Sequence, residues 1–393
     1  MAAIRVAILG AGRPGVRHAE GFKAAGGYEI AAVADLIPQR RKTIMEAFGV
    51  KKEVADALDA LSDASIDAVS ICLPNHLHLP VALAALKAKK HVICETPPTL
   101  SAAEARKLLT AAAKYGRTVL FAAQRRFGGA EQAAKQAVDK GYVGDTYHAR
   151  AAWMRTRGIP VGSGEGAVGW YFDRAKSGGG VVLDLGVQML DLAHDLLGRP
   201  RPVSVFATTS DHFHPAGRLP PTATTVDAAP DEQPADDSVG VGSADGTSDG
   251  TEGEDASTTA GAAAGPSGVE DTFFALMKFE GGKTLELSAS WAINQPPAQN
   301  GTLCRVHGTE GAVDVYTRQG PVLHRKFSQR GDSKETPLKT PKITHYHAMM
   351  RHFRECIQGK AQPLIGPDAG VVLMSMVDAI YKSAATGKSV EMR

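Results

Sequence analysis

Glycines at positions 10, 12 and 15 stand directly behind the apolar run Ile4–Leu9 and ahead of a helix-forming segment that reaches Ala25. Few short segments restrict a fold as much. In a strand, turn and helix frame each glycine has its own duty. The first permits the turn, the second lets the backbone approach a pyrophosphate, and the third lets helix and strand pack closely. The free N–H groups of the helix N-terminus then face the anion. Arg13 and Pro14 lie in the same turn and are counted with the cofactor-binding residues. Asp35 ends the next strand-like run, 20 residues after Gly15, where a carboxylate accepts hydrogen bonds from the adenosine ribose hydroxyls. It repels a 2′-phosphate, which favours NAD, while Arg40 and Arg41 lie near enough to leave NADP possible.

The first third of the chain alternates β-branched runs with alanine-rich stretches. "IRVAILG" is followed by a helix near His18 to Ala25, then "YEIAAVAD", a helix, "IDAVSICLP", a helix and "HVICE". Such alternation predicts a doubly wound parallel sheet covered on both faces, the Rossmann arrangement. Ser101 and Glu104 form a capping-box pattern and Gly116 sits at a left-handed C-terminal cap. One more strand-helix-strand unit thus closes near Ala123. Beyond it come "TYHARAAWMR", "PVSVFATTS", "DTFFALMKFE", "KTLELSASWAI" and "GAVDVYT", with helices at Asp184 to Leu197, near His347 to Ile357 and near Gly370 to Ala384. This texture predicts an α/β domain with one large open, mostly antiparallel sheet and helices on a single face. The boundary falls near Gln124, dividing the 393 residues into 1–123 and 124–393, since single cores rarely grow past about 250 to 300 residues.

Ligands of an open parallel sheet sit beyond the carboxyl ends of its strands. Leu73, Pro74 and Asn75 end the third long strand, His78 opens the following helix, and Glu95 ends the strand after that. All five are expected along the nicotinamide half of the cleft.

Between Leu219 and Gly268 lie ten acidic residues with no lysine, arginine or aromatic residue. Such a segment buries too little apolar area to offset the entropy of ordering, so a disordered acidic insertion is expected at about 215–269, in a loop between two strands. A net charge of +2 with scattered basic residues gives no reason to expect nucleic acid as a partner. No apolar run approaches the roughly 20 residues that span a bilayer, and the start of the chain lacks the pattern of a secretory leader. Cys72, Cys94, Cys304 and Cys356 show neither disulfide nor metal spacing. The expectation is a cytoplasmic protein with no metal site, acting on a small molecule.

In order along the chain, "VAILGAGRPGVRH", "IDAVSICLPNHLH", "KKHVICETP", "KGYVGDTYHARAAW", "SGGGVVLDLGVQMLDL" and "YKSAATGKSV" resemble the Gfo/Idh/MocA family, the glucose-fructose oxidoreductase and inositol dehydrogenase group. The likeness covers nearly everything outside the acidic segment. It implies NAD(P)-dependent oxidation or reduction of a sugar, polyol or related carbohydrate, and an open second sheet that serves as a homo-oligomer interface. In that family the strand entering the cleft usually ends Glu-Lys-Pro, and a helix of the second domain carries Asp with His four residues later. Here the matching residues are Glu95, Thr96 and Pro97, and Asp184 and Gln188.

Positions 184, 188 and 191 share one face of a regular helix, with Leu183, Val187 and Leu190 turned to the core. Asp191 reads better as a salt-bridge or capping partner than as a site residue. Oxidation of a carbinol needs a base for the hydroxyl proton, and threonine and glutamine do not titrate near neutrality. Asp184 is therefore the candidate proton acceptor, with a pKa raised by a closed cleft, and Gln188 and Thr96 are the other catalytic candidates. Arg126, Arg157 and Trp170 are the substrate-binding candidates, with Arg125, Arg155 and Tyr171 beside them. Two alternatives stay open: an NAD-dependent glycoside-cleaving enzyme whose redox step is transient, and a catalytically inactive NAD-binding sensor or scaffold.

Overall fold

The computed structural model describes residues 2–160, 169–213, 268–325 and 334–392. The acidic segment expected at about 215–269 lies outside the described residues up to position 267. The first domain runs β1 (Ile4–Leu9), α1 (Arg13–Ala25), β2 (Tyr28–Ala34), α2 (Pro38–Phe48), β3 (Lys52–Val54), α3 (Ala57–Leu61), β4 (Ala68–Ile71), α4 (His78–Lys87), β5 (His91–Cys94), α5 (Ala102–Tyr115) and β6 (Val119–Phe121). Every strand pairs in parallel, in the order β3-β2-β1-β4-β5-β6. This is the doubly wound order, with its crevice between β1 and β4, where the direction of winding reverses.

Local chemistry fixes these elements. Ser101 Oγ accepts from the Glu104 backbone N–H at 3.3 Å, while the Glu104 carboxylate reaches back to the N–H of Leu100 at 2.9 Å. The capping box thus closes one residue earlier than its usual form. Gly116 ends α5 in the left-handed conformation, φ 60°, as the sequence predicts.

The second domain contains α6 (Gly129–Asp139), β7 (Thr146–Met154), α7 (Arg174–Ser177), α8 (Val187–Leu196), β8 (Pro202–Ser210), β9 (Thr272–Phe279), β10 (Thr284–Ser290), β11 (Gly301–Gly308), β12 (Gly311–Asp314), β13 (Val322–Arg325), β14 (Lys334–Pro337), α9 (His345–Ile357), α10 (Pro367–Thr386) and β15 (Val390–Glu391). Its nine strands form one sheet in the order β14-β13-β12-β11-β7-β10-β9-β8-β15. Only the β7–β10 pair is parallel. Alternation along β9 buries Phe273, Ala275, Met277 and Phe279 and leaves Phe274 and Leu276 exposed on the other face. Helix α9 returns to the first domain: Met349, Met350 and Phe353 join the core beneath the parallel sheet. The division at 123/124 therefore describes chain order more closely than packing.

A buried ion pair ties the turn after β6 to α8. Arg126, in the turn after β6, grips both carboxylate oxygens of Asp191 on α8 and donates from Nη1 to Asp195 Oδ1 at 2.9 Å. Arg199 adds a second donor to Asp195 at 2.7 Å. Arg126 was expected on the substrate; its guanidinium is instead 3% exposed and committed to α8. Asp191 takes the salt-bridge role that its apolar surroundings predict. Removing one member of a buried pair leaves uncompensated charge and costs about 3–5 kcal/mol. Arg126→Met is expected to lose about that much stability in urea denaturation, and Arg126→Lys to recover only part of it, because an ammonium lacks the planar fork.

Candidate functional site

Backbone geometry at the first turn explains its glycines. Gly10 has φ +96°, and a side-chain carbon there would stand 2.3 Å from the Cys72 carbonyl oxygen. At Gly15 it would stand 2.0 Å from the Gly10 oxygen. Above Gly12 the nearest atoms to such a carbon are 3.9 and 4.0 Å away, on Pro14 and Arg40. The turn is thus closed on its protein side and open where α1 begins, which fits an anion held by first-turn N–H groups. Asp35 is fixed at the end of β2: Oδ2 accepts from the Ala11 N–H and Oδ1 from the Ile37 N–H, both at 2.8 Å. Each oxygen keeps lone-pair capacity for a ribose hydroxyl. Arg41 turns away, donating to the Asp35 carbonyl and to Glu53.

The residues after β4 divide between roles. Asn75 is buried and donates to the Ser177 carbonyl at 2.9 Å, which ties the cleft floor to α7 of the second domain. His78, expected to face the cofactor, is 1% exposed, and its two ring nitrogens lie 2.8 Å from the carbonyls of Pro97 and Leu73. Burial holds this ring below the ordinary imidazole range although both carbonyls favour the protonated form. His78 is therefore a staple between the ends of β4 and β5 and presents no ring atom to a ligand. Leu73 and Pro74 stay half-buried at the strand end.

Beside them, the end of β5 carries Glu95, Thr96 and Pro97, with a cis bond before the proline. Glu95 Oε2 accepts from the Thr96 N–H at 3.2 Å and Oε1 lies 2.9 Å from His18 Nε2. His18 is fully buried on α1, and its Nδ1 is 2.6 Å from the Ser70 hydroxyl. Burial alone pushes such a ring down. Cys72 and Glu95 outweigh it and raise His18 to about 10.

In the second domain Asp184 lies within a π turn, Val182–Gly186, closed by a bond from the Val187 N–H to the Val182 carbonyl. The regular helical face expected for 184, 188 and 191 is thus corrected: the wider turn precedes α8 and offsets Asp184 from the later positions. Trp291, just past β10, donates its indole N–H to Asp184 Oδ2 at 2.7 Å. Gln188 donates to the Asp184 carbonyl at 3.2 Å, and among the described residues its buried Oε1 has no partner. Glu270 Oε1 accepts from the N–H groups of Gly180 and Val182 and from the Tyr381 hydroxyl, at 2.9, 3.1 and 2.9 Å. These bonds hold the backbone that leads into the π turn.

Tyr171 links the two sets. Its hydroxyl is pushed above the ordinary phenol range by burial first, then by the carboxylates of Asp184 and Glu95, against Arg155 and Arg13. One phenol therefore lies within electrostatic reach of charged groups from both domains, and at neutral pH it keeps its proton. The Trp170 ring lies tilted against Tyr171 at 4.1 Å between ring centroids, and Tyr171 meets Trp291 edge-on at 6.5 Å. Arg157 is exposed and donates to Asn294 Oδ1 at 3.1 Å. The sequence reading did not single out Trp291, Glu270, Tyr381, Ser70 or His18 as site residues. Only His18 carried a signal, its place three residues past Gly15 in the first helix. Among the described residues no cluster of His, Cys, Asp and Glu suits a metal ion.

Comparison with known proteins agrees with this geometry. Residues 4–123 match a sequence model of the oxidoreductase family with an NAD-binding Rossmann fold, and residues 132–314 match the GFO/IDH/MocA C-terminal domain. The chain is 27% identical to D-glucoside 3-dehydrogenase of Escherichia coli K12 over 99% of this chain and 97% of that one. It is 31% identical to inositol 2-dehydrogenase of Rhizobium meliloti over 53% and 58% of the two chains. A solved levoglucosan dehydrogenase, in complex with NADH and L-sorbose, shares the fold with a TM-score of 0.78 at 20% identity and full coverage of both chains.

His18 gives this site a pH signature. The unfolded ring has an ordinary value of 6.5 and the folded ring about 10. The fold therefore binds the proton more tightly, and this contribution to stability is complete below about pH 6.5 and lost as pH rises toward 10. The urea midpoint is expected to fall across that window and to fall less in His18→Gln; equal slopes in both proteins would contradict the assignment.

Proposed function

Because this chain belongs to the Gfo/Idh/MocA family of NAD-binding sugar and polyol oxidoreductases, we propose that it oxidises a carbohydrate hydroxyl with NAD, using Asp184 as the proton acceptor. NAD, when bound, supplies the hydride-accepting ring. The observation that carries this reading is the cluster of Asp184, Trp291 and Tyr171, in which the Trp291 indole holds the Asp184 carboxylate and the Tyr171 ring meets that indole edge-on. Gly10, Gly12, Arg13, Pro14 and Gly15 hold the pyrophosphate, Asp35 the ribose, and Leu73, Pro74 and Glu95 border the nicotinamide. Trp291 aims the Asp184 carboxylate. Gln188 Oε1 accepts from a substrate hydroxyl, and Tyr171 donates to the oxygen that reacts. Thr96 stands where the family usually has lysine and contributes position rather than a proton. Trp170 offers an apolar face to the sugar ring and Arg157 a fork at the outer edge.

The outer face of the second sheet supports self-association. Phe206, Phe274 and Leu276 are 47%, 50% and 56% exposed on adjacent strands β8 and β9, and such a patch marks an interface. Four free cysteines fit a reducing, cytoplasmic setting. No described helix is long and apolar enough to cross a membrane.

Absorbance of reduced nicotinamide across a panel of aldoses, polyols and glycosides tests the reaction. Accumulating NADH is the expected result. Glycoside cleavage without accumulation would mean that the redox step is transient, and NAD binding with neither would make the chain a sensor. Asp184→Asn is expected to lower kcat by about 10²- to 10⁴-fold with NAD affinity kept. Thr96→Lys combined with Gln188→His is expected to raise kcat, and a folded double variant with no gain would argue against the substrate pose described.

A further inference from the structure

We propose that His18 is a positioning residue of the redox site: a buried cation that clamps the Glu95 carboxylate at the end of β5, with Ser70 fixing its ring from the other side. The proposal rests on the functional reading above. Three observations carry it.

His18 has no exposed surface, yet its two ring nitrogens meet polar groups on different strands, Ser70 Oγ at 2.6 Å on β4 and Glu95 Oε1 at 2.9 Å past β5. The ring therefore spans the two strand ends that border the nicotinamide half of the cleft. The groups around it come from four elements. β4 contributes Ser70, and just past its end the Cys72 thiol lies 3.6 Å from that hydroxyl. β5 leads to Glu95, α9 places the Tyr346 ring at 5.6 Å, and α1 itself adds Phe22. Cys72 and Glu95 both favour the imidazolium, Cys72 the more strongly; Glu95 is the carboxylate of the two, and a carboxylate beside a walled-off imidazole favours the charged ring. Tyr346 and Phe22 close the remaining sides.

The third observation is Thr96. A mostly buried carboxylate is costly without a positive partner, and the side chain next to Glu95 is here a neutral hydroxyl. His18 supplies the charge from beneath. Glu95 is 17% exposed, and its two oxygens are held apart, Oε1 by His18 and Oε2 by the Thr96 N–H.

The test uses the full chain with ¹⁵N-labelled histidine. The His18 ring signals are assigned by their loss in His18→Gln. Both ring nitrogens are expected to stay protonated from pH 6 to 9, and in Glu95→Gln the titration is expected to move down by about two pH units. A ring neutral at pH 7.5 in the unaltered protein, or a titration that Glu95→Gln does not move, would overturn the proposal. This readout needs no turnover, so a chain that oxidises no sugar would sink the functional reading and leave the clamp to be judged by its titration. Where turnover is found, His18→Gln is expected to lower kcat about 10-fold with sugar KM changed less than about 3-fold, and to move the acid limb of the rate profile up by about one pH unit. A merely structural histidine would move stability and leave that limb in place, which would also overturn the proposal.

Discussion

The Arg126 grip on Asp191 and Asp195 is the contact on which the arrangement of the cleft depends. It fixes α8, and with it the π turn that carries Asp184, against the carboxyl edge of the parallel sheet. A small apolar contact there would allow α8 to slide against the turn after β6. A forked, buried ion pair favours one register, because displacement strands charge in a low-dielectric interior. Asn75 and the returning helix α9 reinforce the same relation from two further directions.

Within that frame the site is built from carboxylates held by donors. Asp35 is held by two backbone N–H groups, Asp184 by the Trp291 indole, Glu95 by His18 and the Thr96 N–H, and Glu270 by two N–H groups and a phenol. Each is aimed by its donor before any ligand arrives, and aimed charge is what a redox cleft supplies to a neutral sugar and a charged cofactor.

The Gly10–Gly15 turn and the place of Asp35 at the end of β2 were legible in the sequence because their constraints are local. A turn that tolerates no Cβ must be written as glycine, and a carboxylate at the end of the second strand needs only that strand to place it. The parallel sheet and the mostly antiparallel one were readable from their different periodicities. Other features depend on distant contacts. A π turn at 182–186 leaves no mark in "VVLDLG", so the face assigned to 184, 188 and 191 followed a regular helix. Arg126 reads as a substrate-binding candidate until Asp191 and Asp195 are brought to it from 65 and 69 residues away. Glu270 reaches the Gly180 N–H across 90 residues, and Trp291 reaches Asp184 across 107. His78 stood in the expected place and pointed the other way, a distinction that only packing decides.

The central claim is that a dinucleotide lies over the Gly10–Gly15 turn with its ribose on Asp35, facing a carboxylate held across the cleft. Calorimetric titration of the full chain with NAD and with NADP tests it most directly. The account predicts saturable binding of NAD and binding of NADP at least about 10-fold weaker, because Asp35 opposes a 2′-phosphate. A chain that bound neither dinucleotide, or that preferred NADP, would contradict it.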